Sequence, residues 1–177
     1  MLEVITKIEV KEKLMEKIYF ARENENIIIP AKRAEDGAFD VYAYFEEDYL
    51  IVKPHTTRMI PTGLRSAFSK DYVAIIKERG STGSKGIGQR AGVIDSGYRG
   101  LWFIPITNHN NIPLVINKEN VEIPDLYPIP ILYPYNKAIA QVVMVEVPKL
   151  EVEEISVEDI LKMKSERGTG ALGSSGK

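Results

Sequence analysis

The sequence predicts an all-β domain, a sandwich or barrel of short, mostly antiparallel strands with at most one or two short helices. Three observations carry that expectation. Short β-branched and aromatic runs recur from Ile27 to Val147, the pattern of half-buried strands. Turn residues punctuate them at Pro30, Gly37, Pro54, Pro61-Thr62-Gly63 and the Gly-rich stretch Gly80 to Gly88, and many short strands between such turns make two-layer or closed β folds. The clearest helical signal is Ser156–Met163, SVEDILKM, with Ser156 as N-cap and Asp159 three residues on, the spacing of a capping box.

Taken in order, Glu3–Val10 alternates apolar and charged residues and predicts a strand. Lys11–Phe20 is ambiguous, because Leu14, Met15, Ile18 and Tyr19 also suit one face of a helical turn or two. Asn24 and Asn26 mark a loop. Strands follow over Ile27–Ile29, Phe39–Phe45, Leu50–Lys53, Arg58–Ile60 and Tyr72–Lys77. The stretch Ala91–Gly100, AGVIDSGYRG, reads as a hairpin. Val93 and Ile94 lead to Asp95, Ser96-Gly97 is turn chemistry, and Leu101–Ile104 forms the return limb. Thr107–Pro134 carries Pro113, Pro124, Pro128, Pro130 and Pro134. Proline is barred from central strands, so this segment is expected to form an edge hairpin or a long ordered loop. The Gly-rich end, residues 167–177, cannot build a core. It is a disordered tail or a flap that orders over an anionic ligand, beyond a single β domain over residues 1–166.

Composition removes several function classes. The chain has 177 residues, 44% hydrophobic and 27% charged, as in a soluble globular domain. Its formal net charge is −2 with Lys and Arg scattered, which gives no electrostatic case for nucleic acid. The absence of Cys rules out disulfides, thiolate catalysis and Cys-ligated zinc. His55 and His109 lie apart in polar stretches and read as loop residues. No apolar run approaches a membrane span, and the N-terminal stretch lacks a signal-peptide core. A cytoplasmic protein that contacts neither membrane nor nucleic acid is expected.

The residues with chemical potential are few. Asp95 at a strand end, with Tyr98 beyond the turn, suits a general base beside a ring-shaped ligand. Arg79 offers a fork for phosphate oxygens at the head of a stretch of small residues, Gly80, Ser81 and Thr82. That stretch is not a Walker A loop, since the Gly-Lys-Ser/Thr ending is missing. Asp40 lies in an apolar alternating run, where an unpartnered carboxylate is costly.

The run Gly92-Val93-Ile94-Asp95-x-x-Tyr98-x-Gly100 resembles the third signature motif of the trimeric dUTPase family. Four further segments, around Asp40, Arg79, Gln141 and Arg167, follow that family's order from Ala34 to Gly176. The resemblance implies a jelly-roll fold, hydrolysis of dUTP to dUMP and pyrophosphate with Mg²⁺, and a homotrimer whose three subunits contribute to each site. It further implies that Asp95 activates the water that attacks the α-phosphorus. Tyr98 would pack on the deoxyribose, and Gln89 with the Gly92, Val93 and Ile94 stretch would read the base. Arg79, Gly80, Ser81, Thr82 and Gln141 would hold phosphates, and Asp40 would approach the metal through water. Arg167 would meet the terminal phosphates, with Leu172, Gly173 and Ser174 in the closing flap.

The chain also departs from the family pattern. Gly80 stands where Ser usually follows the Arg, Asn136-Lys137-Ala138 replaces Gly-Asp-Arg, and Leu172 replaces an aromatic. The segment 107–134 is longer by more than ten residues. These departures motivate a second reading, a nucleotide-sensing regulator that kept the fold. A third, dCTP deaminase, lacks its Arg-Ser-Ser motif and its Trp before Ile-Asp.

Overall fold

A computed structural model describes residues 17–170 of the chain. The predicted strand Glu3–Val10 and residues 11–16 lie outside them. The chain divides into two compact units, Met1–Val147 and Pro148–Lys177.

The first unit is a β structure. Among the described residues its strands are β1 (Tyr19–Arg22), β2 (Phe39–Val41), β3 (Tyr49–Val52), β4 (Thr57–Pro61), β5 (Leu64–Ala67) and β6 (Tyr72–Lys77). One helical turn follows, α1 (Gly80–Gly83). Then come β7 (Ile87–Gln89), β8 (Val93–Ile94), β9 (Phe103–Asn108), β10 (Leu114–Asn117), β11 (Ile131–Pro134) and β12 (Ala140–Glu146). They form four small sheets, ordered β1-β5, β11-β10-β3, β2-β12-β6-β8 and β4-β9-β7. The predicted β6 stands at its predicted bounds, and its alternation buries Ala74 and Ile76 while Lys77 faces out.

The core gathers one face of each sheet. Ile60, Ile76, Ile87, Trp102, Ile104, Ile106, Leu114, Ile116 and Ile139 are all buried. Trp102 joins two sheets: its backbone N–H donates to Leu64 O at 2.8 Å, its indole N–H donates to Ser66 Oγ at 3.1 Å, and Phe20 meets its ring edge-on at 5.4 Å. Gly63 has φ +66°, and a Cβ there would lie 3.2 Å from Ile27 Cγ1 and Tyr44 Cδ1, so that corner requires glycine.

Four expectations are corrected. The stretch 91–100 is not a hairpin. β8 pairs with β6, whereas β9 pairs with β4 and β7, so the two limbs of the turn enter different sheets. The segment 107–134 is not an edge hairpin either: β11 runs parallel to β10, and parallel neighbours need a crossover rather than a tight turn. β11 is the edge of its sheet, where Pro134 is tolerated. Ile27–Ile29 is no strand. Asn24 turns the chain, with Ile27 N–H donating to Asn24 O at 3.1 Å, and only Ile27 of the three is buried. The run Phe39–Phe45 is strand only over β2.

The second unit carries α2 (Val157–Lys162). Ser156 Oγ accepts from Asp159 N–H at 3.0 Å, the N-cap read from the sequence, and Lys162 pairs with Glu158 at 2.8 Å. No side chain among this unit's described residues is buried. No helix among the described residues is long and apolar enough to cross a membrane.

Truncating Ile104, fully buried in β9, leaves a cavity that neighbours on both sides prevent from collapsing. Ile104→Ala should lower stability by about 2–5 kcal/mol, read as a fall in the urea midpoint at unchanged m-value.

Candidate functional site

The first candidate cleft lies at one edge of the four-stranded sheet. β12 puts Gln141 between Asp40 on β2 and Lys77 on β6. Two residues beyond Lys77, Arg79 starts α1, and its guanidinium turns back onto β2. Arg79 Nε lies 3.0 Å from Asp40 Oδ1, and Nη2 donates to Asp40 Oδ2 at 3.1 Å. Nη1 donates to Ala138 O at 3.2 Å. This fork-to-carboxylate geometry fixes orientation as well as charge. Gln141 Nε2 donates to Glu78 O at 2.9 Å.

The glycine-rich stretch after Arg79 is a helical turn with an inward cap. Arg79 N–H donates to Thr82 Oγ1 at 2.9 Å, and that hydroxyl donates back to Arg79 O at 3.0 Å. Thr82 is fully buried. Its hydroxyl serves the turn, while Gly80 and Ser81 line the cleft. The cleft holds about 850 Å³ and is also lined by Lys32, Arg33, Asp36, Asp40, Arg79 and Gln141.

Tyr133 supports this cleft from behind. Its hydroxyl donates to Ala138 O at 2.6 Å, the carbonyl that Arg79 also uses. Burial raises the phenol above its ordinary value, against the lowering pull of Arg79, so Tyr133 is a neutral donor at physiological pH.

The second cleft surrounds the turn after β8. Tyr98 N–H donates to Asp95 O at 3.0 Å, closing the turn, and Tyr98 Oη donates to Leu101 O at 3.0 Å. Two arginines tie the turn to β5. Arg99 Nη1 donates to Ser96 O at 2.6 Å and Ser66 O at 3.3 Å, and Arg65 Nη1 donates to Arg99 O at 2.8 Å. Upstream, Ala91 and Gly92 have φ 54° and 101°. A Cβ at Gly92 would lie 2.6 Å from Gln89 Nε2 and 2.8 Å from Ile76 O, so the backbone passes close under the Gln89 amide. That amide donates to Arg90 O. The cleft encloses about 250 Å³ and is lined by Gly92, Val93, Ile94, Asp95 and Tyr98, with Met59, Phe103 and Pro105 opposite. It is an apolar slot with one carboxylate at its mouth, the chemistry of a site for a flat ring.

The two clefts share no lining residue. Asp40 lies on one edge strand of the sheet β2-β12-β6-β8 and Asp95 directly after the other, three strand spacings or about 14 Å across the sheet and a further four residues apart along the strands. One copy therefore brings together Asp40, Arg79, Gly80, Ser81 and Gln141, and separately Asp95, Tyr98 and the Gly92–Ile94 backbone. Arg167 belongs to the second unit, where its Nε donates to Gly170 O at 2.9 Å. Leu172, Gly173 and Ser174 lie outside the described residues. Sequence reasoning assigned no role to Lys32, Arg33 and Asp36, which lie four to eight residues before Asp40. It also missed Met59 and Phe103, whose exposed positions at 53% and 40% show only once β4 and β9 are paired.

A β fold with a polar, arginine-bearing cleft and a ring-sized slot defines a protein of the nucleotide-binding kind. The dUTPase family model matches residues 24–121, more than half the chain, and the chain belongs to that family. It is 32% identical over 165 residues to the deoxyuridine 5'-triphosphate nucleotidohydrolase of Nautilia profundicola, covering 91% of this chain and 99% of that protein. It is 33% identical over 105 residues to the Pol polyprotein of caprine arthritis encephalitis virus, covering 59% of this chain and only 9% of the polyprotein's length. Among solved structures, a Staphylococcus bacteriophage 80alpha dUTPase mutant bound to dUpNHpp superposes with a TM-score of 0.73 at 22% identity, covering 91% of this chain and 99% of that one. A mutant dUTPase from phage phi11 of S. aureus, whose structure reveals the coordination of a structural Mg(II) ion, gives a TM-score of 0.63 at 19% identity, covering 78% of this chain and 96% of that one. The jelly-roll fold expected from the sequence is thus the fold observed.

The Gly92 corner is testable on stability alone. Gly92→Ala should cost about 1–3 kcal/mol through strain at positive φ. Gly80→Ala, where nothing lies within 4 Å of the added Cβ, should stay close to the parent protein. Thermal unfolding of both variants checks the contrast.

Proposed function

We propose that the chain is a dUTP diphosphatase that hydrolyses dUTP to dUMP and pyrophosphate, at sites shared between the copies of a homotrimer. The observation that carries this reading is the division of the site. The slot bearing Asp95 and Tyr98 and the cleft bearing Arg79 and Gln141 occupy opposite edges of one sheet. Each is half of what a nucleoside triphosphate requires, and a closed ring of copies supplies the other half.

In the slot, the base lies against the Gly92–Ile94 backbone beside the Gln89 amide, and the sugar lies on Tyr98. A ring packed there leaves no room for a 2′-hydroxyl, which selects deoxynucleotides by exclusion. Asp95 takes a proton from a water. The water oxygen bonds to the α-phosphorus, and the bond from that phosphorus to the bridging oxygen breaks, releasing pyrophosphate. Asp95 stands at a solvent-exposed turn whose backbone is held by Arg99 and Arg65, so the carboxylate is positioned without being buried.

The phosphates belong to the other copy's cleft, with Arg79, Gly80, Ser81 and Gln141. Among the described residues no group of three or more His, Asp or Glu could cage a metal, and both Asp40 oxygens already face Arg79. The residues present therefore fit a Mg²⁺ carried in by the triphosphate, with Asp40 meeting its water shell. Bound there, the ion would neutralise phosphate charge. Arg167 and the residues after it are assigned to closure over the phosphates.

Asp95→Asn should reduce dUTP turnover by about 10²–10⁴-fold while a non-hydrolysable dUTP analogue still binds; turnover within twofold of the parent rejects Asp95 as the base. Pyrophosphate from dUTP without ammonia from dCTP separates hydrolysis from deamination, and tight binding without product supports the sensing reading. Sharing is tested by mixing two inactive variants, Asp95→Asn and Arg79→Ala, and reassembling them. Random mixing should restore about a quarter of the parent activity, and mixtures as inactive as their components would reject the shared site.

A further inference from the structure

We propose that Lys32 is a phosphate-binding residue of the Arg79 cleft, holding the terminal phosphates of a bound nucleoside triphosphate and the pyrophosphate that leaves. The proposal rests on reading that cleft as the phosphate side of the site. Three cations and two carboxylates line it. Arg33 is forked onto Asp36, Nε to Oδ2 at 2.9 Å and Nη2 to Oδ1 at 3.0 Å. Arg79 is forked onto Asp40 in the same way. Each arginine is thus matched by one carboxylate. Lys32 Nζ donates only to backbone carbonyls, Asp36 O at 2.7 Å and Arg33 O at 3.5 Å. A carbonyl carries a dipole and no net charge, so Lys32 is the cleft's surplus cation among the described residues.

Its position is built rather than accidental. Ala31 O accepts from Asp40 N–H at 3.0 Å, and this bridge joins the chain at Ala31 to β2. Lys32 therefore leaves the backbone one residue from a point fixed opposite Asp40. The amine sits 5.6 Å from the Phe39 ring centroid, an attraction that holds it near the cleft. Its hydrogen bond to Arg33 is long, so an ammonium with three donors keeps capacity for an incoming oxygen.

The chain has a reason to need it. The turn leading into β12 contributes no cation to the cleft. Ala138 is buried and offers its carbonyl, Asn136 is engaged by Glu119 at 2.6 Å, and Lys137 is not among the lining residues. Within the Ala31–Ala38 loop, Lys32, Arg33 and Asp36 line the cleft while Glu35 does not, so the loop presents two cations against one anion to it instead. The Arg33 hydrogen bonds hold the Asp36 carboxyl below the usual carboxylate range, so that balance persists through neutral pH.

Inorganic pyrophosphate is the probe, used on the full chain by calorimetric titration and as an inhibitor of dUTP turnover. Lys32→Ala should raise its dissociation constant, its inhibition constant and the KM for dUTP about tenfold, the size of one charge-assisted contact, with a much smaller change in kcat. Lys32→Arg should recover most of the loss. Asp36→Asn removes the anion facing both loop cations and should tighten pyrophosphate binding, a sign that damage to the loop would not produce. Pyrophosphate constants in Lys32→Ala equal to the parent's, or no pyrophosphate binding by the parent, overturn the proposal. A parent protein that binds pyrophosphate but turns over no dUTP rejects the enzymatic reading and leaves the calorimetric comparison to decide on Lys32.

Discussion

The fork between Arg79 and Asp40 is the contact on which the polar half of the site depends. It joins β2 to the residue that starts α1 and, through the Ala138 carbonyl, to the approach of β12. At 31% and 36% side-chain exposure, solvent screens the pair, and its contribution to stability is at most about 1 kcal/mol. Its importance is orientational. A bidentate fork leaves Arg79 one direction to face, so the cleft keeps its shape in the absence of ligand. The pairing also gives Asp40 a partner, the condition under which a carboxylate beside an apolar run is tolerated.

The other half of the site is held by backbone carbonyls. Arg99 and Arg65 bind the turn after β8 to β5, and the strained corner at Ala91 and Gly92 brings the Gln89 amide over the main chain. Asp95 itself is carried by these contacts without making them. Such a carboxylate keeps its access to water, one condition for a general base. The polar half, by contrast, is rich in charges that already neutralise one another. Ligand affinity there comes from the small surplus that remains.

Local chemistry was legible along the chain. The alternation of Tyr72–Lys77, the N-cap at Ser156, and the turn glycine at 63 each declare their role within a few residues. The ordered set of five segments led to the family. The hairpin reading failed because Ser96-Gly97 does form a turn, but a turn constrains only its own residues. Whether the flanking strands pair with each other depends on which partners offer more buried area, and here β6 and β4 won. The 107–134 segment misled in the same way: its prolines keep it at a sheet edge, as expected, but no local signal says that β11 returns parallel to β10.

By itself the sequence determined the fold class and the family and supplied the candidate site residues, because period-two burial, turn chemistry and motif order are properties of neighbouring residues. Only the tertiary structure decided which groups meet. It joined Asp40 to Arg79 across a sequence separation of 39, turned Thr82 inward, brought Lys32 beside the arginines and set Asp95 on the far edge of the same sheet. Those outcomes follow from strand pairing between distant segments, whose register is set by the whole buried core.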